Sequence, residues 1–272
     1  MSQTVLITGT STGIGRETAK LFQSQGWNVI ATMRAPEKET ELNQLENVRA
    51  LRLDVTDEES IRAAVAQGTS EFGSIDVLVN NAGFGSFGLL EATSLDAIRE
   101  QFEANVVGLL ATTKAVLPHM RERRQGVVVN ISSMGGCIGF PLGTLYHGSK
   151  FAVEGLSEAL SYELAAVGIR VKIVEPGMVR TDFSGRSVRF SDDESLSEYR
   201  DVVANFADGY AAISDTPPAE PDEVARTIFA AATDGTDRLR YVSGQDAERL
   251  LARRLREDDS TFFVFLRGAF RI

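Results

Sequence analysis

The sequence predicts an α/β fold, a doubly wound parallel sheet with helices on both faces. Three observations predict it. Short β-branched runs alternate with amphipathic segments of helix length. Several runs are nearly continuous in apolar residues, as strands covered on both faces must be. A glycine-spaced loop joins the first run to the first amphipathic segment. Residues 4–8, 28–32, 48–54, 77–80, 127–132 and 169–174 read as strands, with a last strand at 239–242. Helices are expected at 14–25, 57–71, 94–121 and 149–166, then at 222–232, where Pro221 suits a helix start, and at 245–256. Residues 182–219 are less regular and more polar, and are expected to form a lid over the carboxyl edge of the sheet rather than a merely exposed excursion.

The chain has 272 residues, 43% of them hydrophobic, enough for one sizeable core in a single domain spanning 1–272. Its formal charge of −10 speaks against a nucleic-acid partner, and Arg121, Arg123 and Arg124 read as a solvated helix end. Cys137, the single cysteine, has no partner for an internal disulfide and reads as a structural thiol. With only His119 and His147 as imidazoles, neither a histidine zinc site nor a serine–histidine relay is expected, and no metal is assigned. No apolar run reaches the length needed to span a bilayer. The start of the chain carries no leader-like segment, so the cytoplasm is the expected location.

The loop Thr8-Gly9-Thr10-Ser11-Thr12-Gly13-Ile14-Gly15 lies between the first strand and helix. Gly9 permits a tight turn, Gly13 lets backbone approach a pyrophosphate, and Gly15 lets the helix approach the sheet. The helix N-terminus supplies amides for phosphates. This context favours a dinucleotide site over a plain turn. No carboxylate ends the second strand, where one would accept from ribose hydroxyls; Arg34 stands there instead, suited to a 2′-phosphate. NADP(H) is therefore expected over NAD(H). Asp54 and Val55 either meet the adenine edge or, through Asp54, cap residues 56–60. Asn81, Ala82 and Gly83 either let a cofactor lie close or form a polar turn.

Tyr146 and Lys150, four residues apart, share one face if helical. A neighbouring cation favours phenolate, which makes such a tyrosine a usable acid or base. With the glycine loop, Asn81-Ala82-Gly83, Asn105, Ser132-Ser133 and the run from Pro176 to Thr181, this pair makes the chain resemble the short-chain dehydrogenase/reductase family, in its soluble, single-domain, Rossmann-like branch. The resemblance implies that Tyr146 exchanges the proton at the substrate oxygen. It also implies that Lys150 lowers the tyrosine pKa and holds the nicotinamide ribose. Ser133, with Ser132 as second candidate, would bond the reacting oxygen, and Asn105 would support a water linked to Lys150. It further implies cofactor contacts at Ser11, Thr12, Ile14, Asn81, Ala82, Gly83, Pro176, Gly177, Val179 and Thr181. The loop lacks the basic residue before Gly13 that is common in the NADP-preferring branch.

The implied activity is hydride transfer between NADP(H) and an alcohol or carbonyl compound. Two alternatives stand beside it, an NAD(H)-dependent enzyme and a dinucleotide-binding protein without turnover. Phe84, Phe87, Met134, Phe140, Leu142, Met178 and Phe183 cluster around the motifs, as an apolar pocket or as core. His147 reads as pocket lining or packing. The apolar tail 261–272 is expected to cover the entrance, meet another subunit or finish its own core. The resemblance also implies a homodimer or homotetramer.

Overall fold

The computed structural model describes residues 2–181, 187–214 and 216–272. In chain order it contains β1 (Thr4–Thr8), α1 (Gly13–Ser24), β2 (Asn28–Met33), β3 (Val48–Arg52), α2 (Glu58–Phe72), β4 (Val77–Asn80), β5 (Gly85–Gly88), α3 (Leu95–Phe102), α4 (Gly108–Arg123), β6 (Gly126–Ile131) and α5 (Thr144–Ala165). Then follow β7 (Ile169–Pro176), β8 (Val188–Ser191), α6 (Arg200–Ala204), α7 (Phe206–Ile213), α8 (Pro221–Thr233), β9 (Arg240–Ser243), α9 (Gln245–Arg256) and α10 (Asp259–Phe270).

Seven strands form one parallel sheet in the order β3-β2-β1-β4-β6-β7-β9. This is the Rossmann-like doubly wound architecture, and its strand order reverses between β1 and β4. Ligands of such sheets sit at that reversal, beyond the carboxyl ends of the strands. Side chains alternate between the two faces. Val5, Ile7, Val29, Ala31 and Val79 join Phe22 of α1 and Val224 and Ile228 of α8 in one core layer. Leu6, Ile30, Leu78 and Val128 join Ile61, Ala64, Val116, Met120 and Leu164 in the other. The inner strands β1, β2, β4 and β6 thus read as nearly unbroken apolar runs because both of their faces are buried, whereas the edge strands β3 and β9 carry charged residues.

Several expected boundaries move, for local reasons. The third strand stops at Arg52, because Asp54 turns the chain by accepting from the Thr56 amide (3.1 Å) and hydroxyl (2.8 Å). The cap of α2 is Asp57, which accepts from Glu59 and Ser60. The expected helix 94–121 is α3 and α4 joined by a π-helical turn, Glu103–Val107. Helix α5 starts at Thr144, ahead of the expected 149, so Tyr146 and Lys150 both lie on it. The strands β5 and β8 pair in parallel, Gly85 with Val188 through Gly88 with Ser191. β5 is Gly-Ser-Phe-Gly and carries no strand pattern, while the alternation Val-Arg-Phe-Ser of β8 spans only four residues within an irregular segment.

The tail finishes a core. Asp258 caps α10 by accepting from the Thr261 amide, and Phe262, Leu266 and Phe270 repeat at helical spacing and are buried. They pack with Met134, Ile138, Phe140, Ile213 and Leu250 in a third cluster. Among the described residues, no helix is long and apolar enough to cross a membrane. Of the expected lid, residues 182–186 and 215 lie outside the described residues, and with them the pocket candidate Phe183. The described part carries β8, α6 and α7.

Candidate active site

The glycine loop has the shape of an anion cradle. Gly9 and Gly13 adopt φ of +73° and +57°, where a side chain is strained. A Cβ on Gly9 would stand 2.9 Å from the Ala82 Cα, and one on Gly15 would strike the Gly9 carbonyl. Thr12, at the N-cap of α1, makes no side-chain cap bond, and the first turn holds no acidic residue. The amide end of α1 is therefore left to the loop, as phosphate binding requires. Asn81 braces this loop from β4. Its amide nitrogen donates to the carbonyls of Thr8 (2.8 Å) and Gly9 (3.0 Å), while the Thr8 hydroxyl accepts from Asn81 N and Ala82 N (both 3.0 Å).

The two other walls come from β2 and from the segment after β7. Arg34 is exposed just past β2 and makes no ion pair among the described residues. Arg16, by contrast, reaches back to the Ser11 carbonyl but is tied to Glu39 and Glu41. Thr181 approaches the loop, with its Cγ2 3.2 Å from a Cβ placed on Gly13. Pro176 ends β7 against Ser243 of β9, and Val179 bridges to Ala219. The buried Asp246 fills the space beside Gly177 and accepts from the Met178 amide at 2.7 Å. Asp54 has turned inward on its own loop, and Val55 lies under Gly108, which a Cβ would force apart.

The chemistry-bearing residues meet at the carboxyl ends of β6 and β4. Ser133 follows β6, accepts from the Gly135 amide at 3.0 Å, and is hydrogen-bonded to the Tyr146 phenol. Ser132 points elsewhere. Its hydroxyl is buried beside Gly136 and Glu154 and has no partner among the described residues. Lys150 lies one turn beyond Tyr146, its Nζ 5.9 Å from the phenol ring centre and donating to the Ile131 carbonyl at 2.8 Å. Burial holds the Tyr146 phenol above its ordinary pKa, opposed by Ser133; burial brings Lys150 down to about 8, opposed by the charge of Glu154. Asn105 sits in the π turn, a helix irregularity common at functional sites. It grips the Phe84 backbone through both amide atoms (2.9 and 3.1 Å) and donates to Ser149 at 3.2 Å.

Residues 3–191 match the model of the short chain dehydrogenase family. The chain belongs to that family. It is an oxidoreductase of the short-chain dehydrogenase type. An uncharacterised oxidoreductase of Schizosaccharomyces pombe is 40% identical over 237 residues, which are 85% of this chain and 97% of that one. A short-chain dehydrogenase from Streptomyces avermitilis superposes with a TM-score of 0.82 at 37% identity, over 96% of this chain and 94% of the other. The protein ElxO, solved with NADP bound, superposes with a TM-score of 0.74 at 32% identity, over 89% and 98%.

The dehydrogenase surrounds Tyr146 with rings. Phe87 lies 5.2 Å from it and 5.9 Å from Phe206, while Phe140 lies 5.3 Å from His147. His147 is slotted between Gly135 and Gly143, where a Cβ on either glycine would strike the imidazole. Its Nδ1 lies 2.9 Å from the Gly135 carbonyl, which fixes Nδ1 as the protonated nitrogen. Burial holds its pKa at about 4, against that bond, so the ring is neutral and its Nε2 faces the Tyr210 hydroxyl at 3.5 Å. Tyr210, on α7, was not legible as a site residue. Its nearness to Tyr146 depends on the 206–213 segment folding back, and Phe270 holds that segment from behind at 5.5 Å. Phe84 packs under Arg189, and Met134 and Phe140 are buried in the third cluster with Met178 at its edge. Leu142 adopts φ of +58° where the chain turns into α5.

Cys137 is half-buried beside Glu175 and Glu154. Burial and those two carboxylates push its thiol up to about 12. Alkylation of the folded dehydrogenase at pH 8 should therefore run at least about 100-fold slower than in the urea-unfolded chain, because the thiolate is the nucleophile. Mass spectrometry of a timed iodoacetamide reaction checks this, and equal rates would contradict the assigned environment.

Proposed function

We propose that the chain moves a hydride between NADP(H) and the alcohol or carbonyl carbon of an apolar substrate, with Tyr146 exchanging the proton at the oxygen. One observation carries the reading: the hydrogen-bonded Ser133–Tyr146 pair with Lys150 against the phenol, at the edge of the sheet where the glycine cradle opens. Gly9, Ser11, Thr12, Gly13, Ile14 and Gly15 would hold the pyrophosphate. Arg34 would take the 2′-phosphate, and Asn81, Ala82 and Gly83 would flank the adenosine ribose. Asp54 and Val55 would border the adenine, and Pro176, Gly177, Val179 and Thr181 the nicotinamide. The cofactor supplies the two-electron step when bound. The protein's own part is placement and electrostatics. Ser133 stabilises the partial charge on the substrate oxygen, Tyr146 donates or accepts its proton, and the Lys150 ammonium favours the phenolate. Asn105, which holds Phe84 and Ser149 in place, would keep this face of α5 fixed and serve the proton relay. The rings of Phe87, Phe140, Phe206 and Tyr210 support an apolar substrate.

Arg34 is the residue assigned the choice of cofactor. Its guanidinium, at the end of β2, makes no ion pair among the described residues, whereas the charge of Arg16 is spent on Glu39 and Glu41, and NADP in the related ElxO supports the same choice. Arg34→Asp should weaken NADP(H) binding about 30-fold or more and leave NAD(H) within a few-fold, as expected for loss of a charge-assisted phosphate contact. Paired fluorescence titrations read both constants, and equal losses for the two cofactors would reject the 2′-phosphate role. The activity itself is tested by a panel of alcohols and carbonyls followed by reduced-cofactor absorbance. Binding without turnover across the panel would leave the sensor reading in its place. The described part of 182–219 is assigned the lid role, and the protein is placed in the cytoplasm as a homodimer or homotetramer. A mass measurement showing monomer at all concentrations would reject the assembly.

A further inference from the structure

Behind the catalytic lysine lies a buried charge cluster that the proposed mechanism does not use. Glu154 follows Lys150 by one turn of α5, so both side chains lie on one face of that helix. Its Oε2 accepts from Arg240 Nε of β9 at 3.0 Å. Its Oε1 is buried with no partner among the described residues. Glu175 of β7, 3% exposed, places Oε1 3.5 Å from the same Arg240 nitrogen and 3.6 Å from the Cys137 sulfur. Glu158, at the rim, takes the outer end of Arg240 at 2.6 Å. One guanidinium thus faces three carboxylates, and the cluster keeps negative charge on the side of α5 that carries Lys150.

Lys150 needs that charge. Lys150 is 9% exposed; its ammonium has three hydrogens to place and, among the described residues, donates to one neutral acceptor, the Ile131 carbonyl. A buried ammonium so poorly served loses its proton unless a counter-charge stands close. Ser132 Oγ and Glu154 both border Gly136, next to the Lys150 carbonyl, which puts Glu154 against the same end of β6 that Lys150 bonds. We propose that Glu154, held by Arg240 with Glu175 beside it, is the counter-charge that keeps Lys150 an ammonium, and so a positioning residue for the proposed reaction. Its role in turnover rests on that reaction; its effect on Lys150 does not. The groups facing Glu154 are Arg240 on β9, Glu175 on β7, Cys137 after β6, and Lys150 and Glu158 on its own helix, while Arg238 acts on Glu175. Glu175, pushed up to about 7 by burial and by Glu154, adds its charge as pH rises through that value and so supports the ammonium most where it is nearest to losing its proton.

The test reads Lys150 directly. Lysine labelled with 13C at Cε is titrated by NMR in the folded, full-length protein, with the Lys150 signal assigned by its loss in Lys150→Arg. Glu154→Gln should lower the Lys150 midpoint by about one to two pH units, the size of one partly buried charge pair. Glu154→Asp should keep most of the native value, and Glu158→Gln at the exposed rim should leave it in place. Glu175→Gln, on a separate strand, should give a smaller fall in the same direction and serves if Glu154→Gln does not fold. The alkaline limb of kcat should move down with the midpoint. A Lys150 midpoint unchanged in both Glu154→Gln and Glu175→Gln overturns the proposal. A native protein without turnover would instead sink the oxidoreductase chemistry, while the lysine titration would still judge the counter-charge.

Discussion

Replacing Tyr146 by Phe should lower kcat by about 1,000-fold or more while cofactor affinity stays within about threefold. General acid–base groups contribute roughly 100- to 10,000-fold, and here the phenol hydroxyl is the assigned route for the proton at the reacting oxygen. The substitution removes one oxygen and keeps the ring, so the packing against Phe87 at 5.2 Å survives and folding is spared. Ser133 keeps its bond from the Gly135 amide and remains able to polarise the substrate oxygen, which sets a residual rate. Reduced-cofactor absorbance under saturating substrate, with Tyr162→Phe on the exposed face of α5 as a control, gives the comparison. Retention of more than a tenth of native kcat would reject the proton-transfer role, whatever the cofactor titration shows.

The largest effect expected on stability is at Lys172, far from the chemistry. Its side chain is 1% exposed within β7. The ammonium donates to the carbonyls of Thr236 (2.6 Å) and Arg238 (2.8 Å), to the Tyr241 hydroxyl (3.0 Å) and, at 3.5 Å, to Asp234. It thus ties the turn before β9 to β7 and holds the outermost strand in register. Lys172→Met keeps most of the volume but strips four acceptors of their donor. The cost should be about 3 kcal/mol, the low end for breaking a buried ion pair, and the melting temperature should fall by roughly 6–12 °C. Differential scanning calorimetry measures it; a fall below about 2 °C would show the network to be energetically idle.

Acid stability gives the same network a sign. Asp234 is held at about 2: burial works against its charge, but bonds from Tyr241 and Thr236 and the charge of Lys172 prevail. A carboxylate depressed in the folded state stabilises it above the ordinary value of 3.8, and that contribution is lost as pH falls through about 2. With Lys172 removed, the folded-state value rises, so the contribution is smaller and is fully lost at higher pH, and the variant's deficit should shrink toward pH 2.

How much of this was legible in the sequence depends on the range of the interaction. The parallel sheet was, because two buried faces write themselves along the inner strands as continuous apolar residues. The glycine loop was, because its requirements of φ and close approach fall within eight consecutive positions. The Tyr146–Lys150 spacing was too, although the helix that makes it meaningful starts five residues earlier than periodicity suggested. β5 and β8 escaped because a short parallel pair takes its partner from another part of the chain. The residues 85–88 alone carry no β signal. The tail could have gone three ways, and a capped helix with Phe262, Leu266 and Phe270 on one face chose the core.

The sequence by itself determined the fold class, and it set out the glycine loop and the Tyr146–Lys150 spacing on which the proposed cofactor and proton-transfer roles rest, since each is a pattern of near neighbours. Only the tertiary structure decided which charges and rings those residues live among. Folding set Arg240 and Glu175 beside Glu154, closed Tyr210 onto His147, pinned Gly177 with Asp246, and turned Ser133 rather than Ser132 toward Tyr146. The physical reason is that a pKa or a pocket wall depends on desolvation and on contacts across the sheet. Those are set by how helices and strands pack, and packing partners distant in sequence leave no periodicity to read.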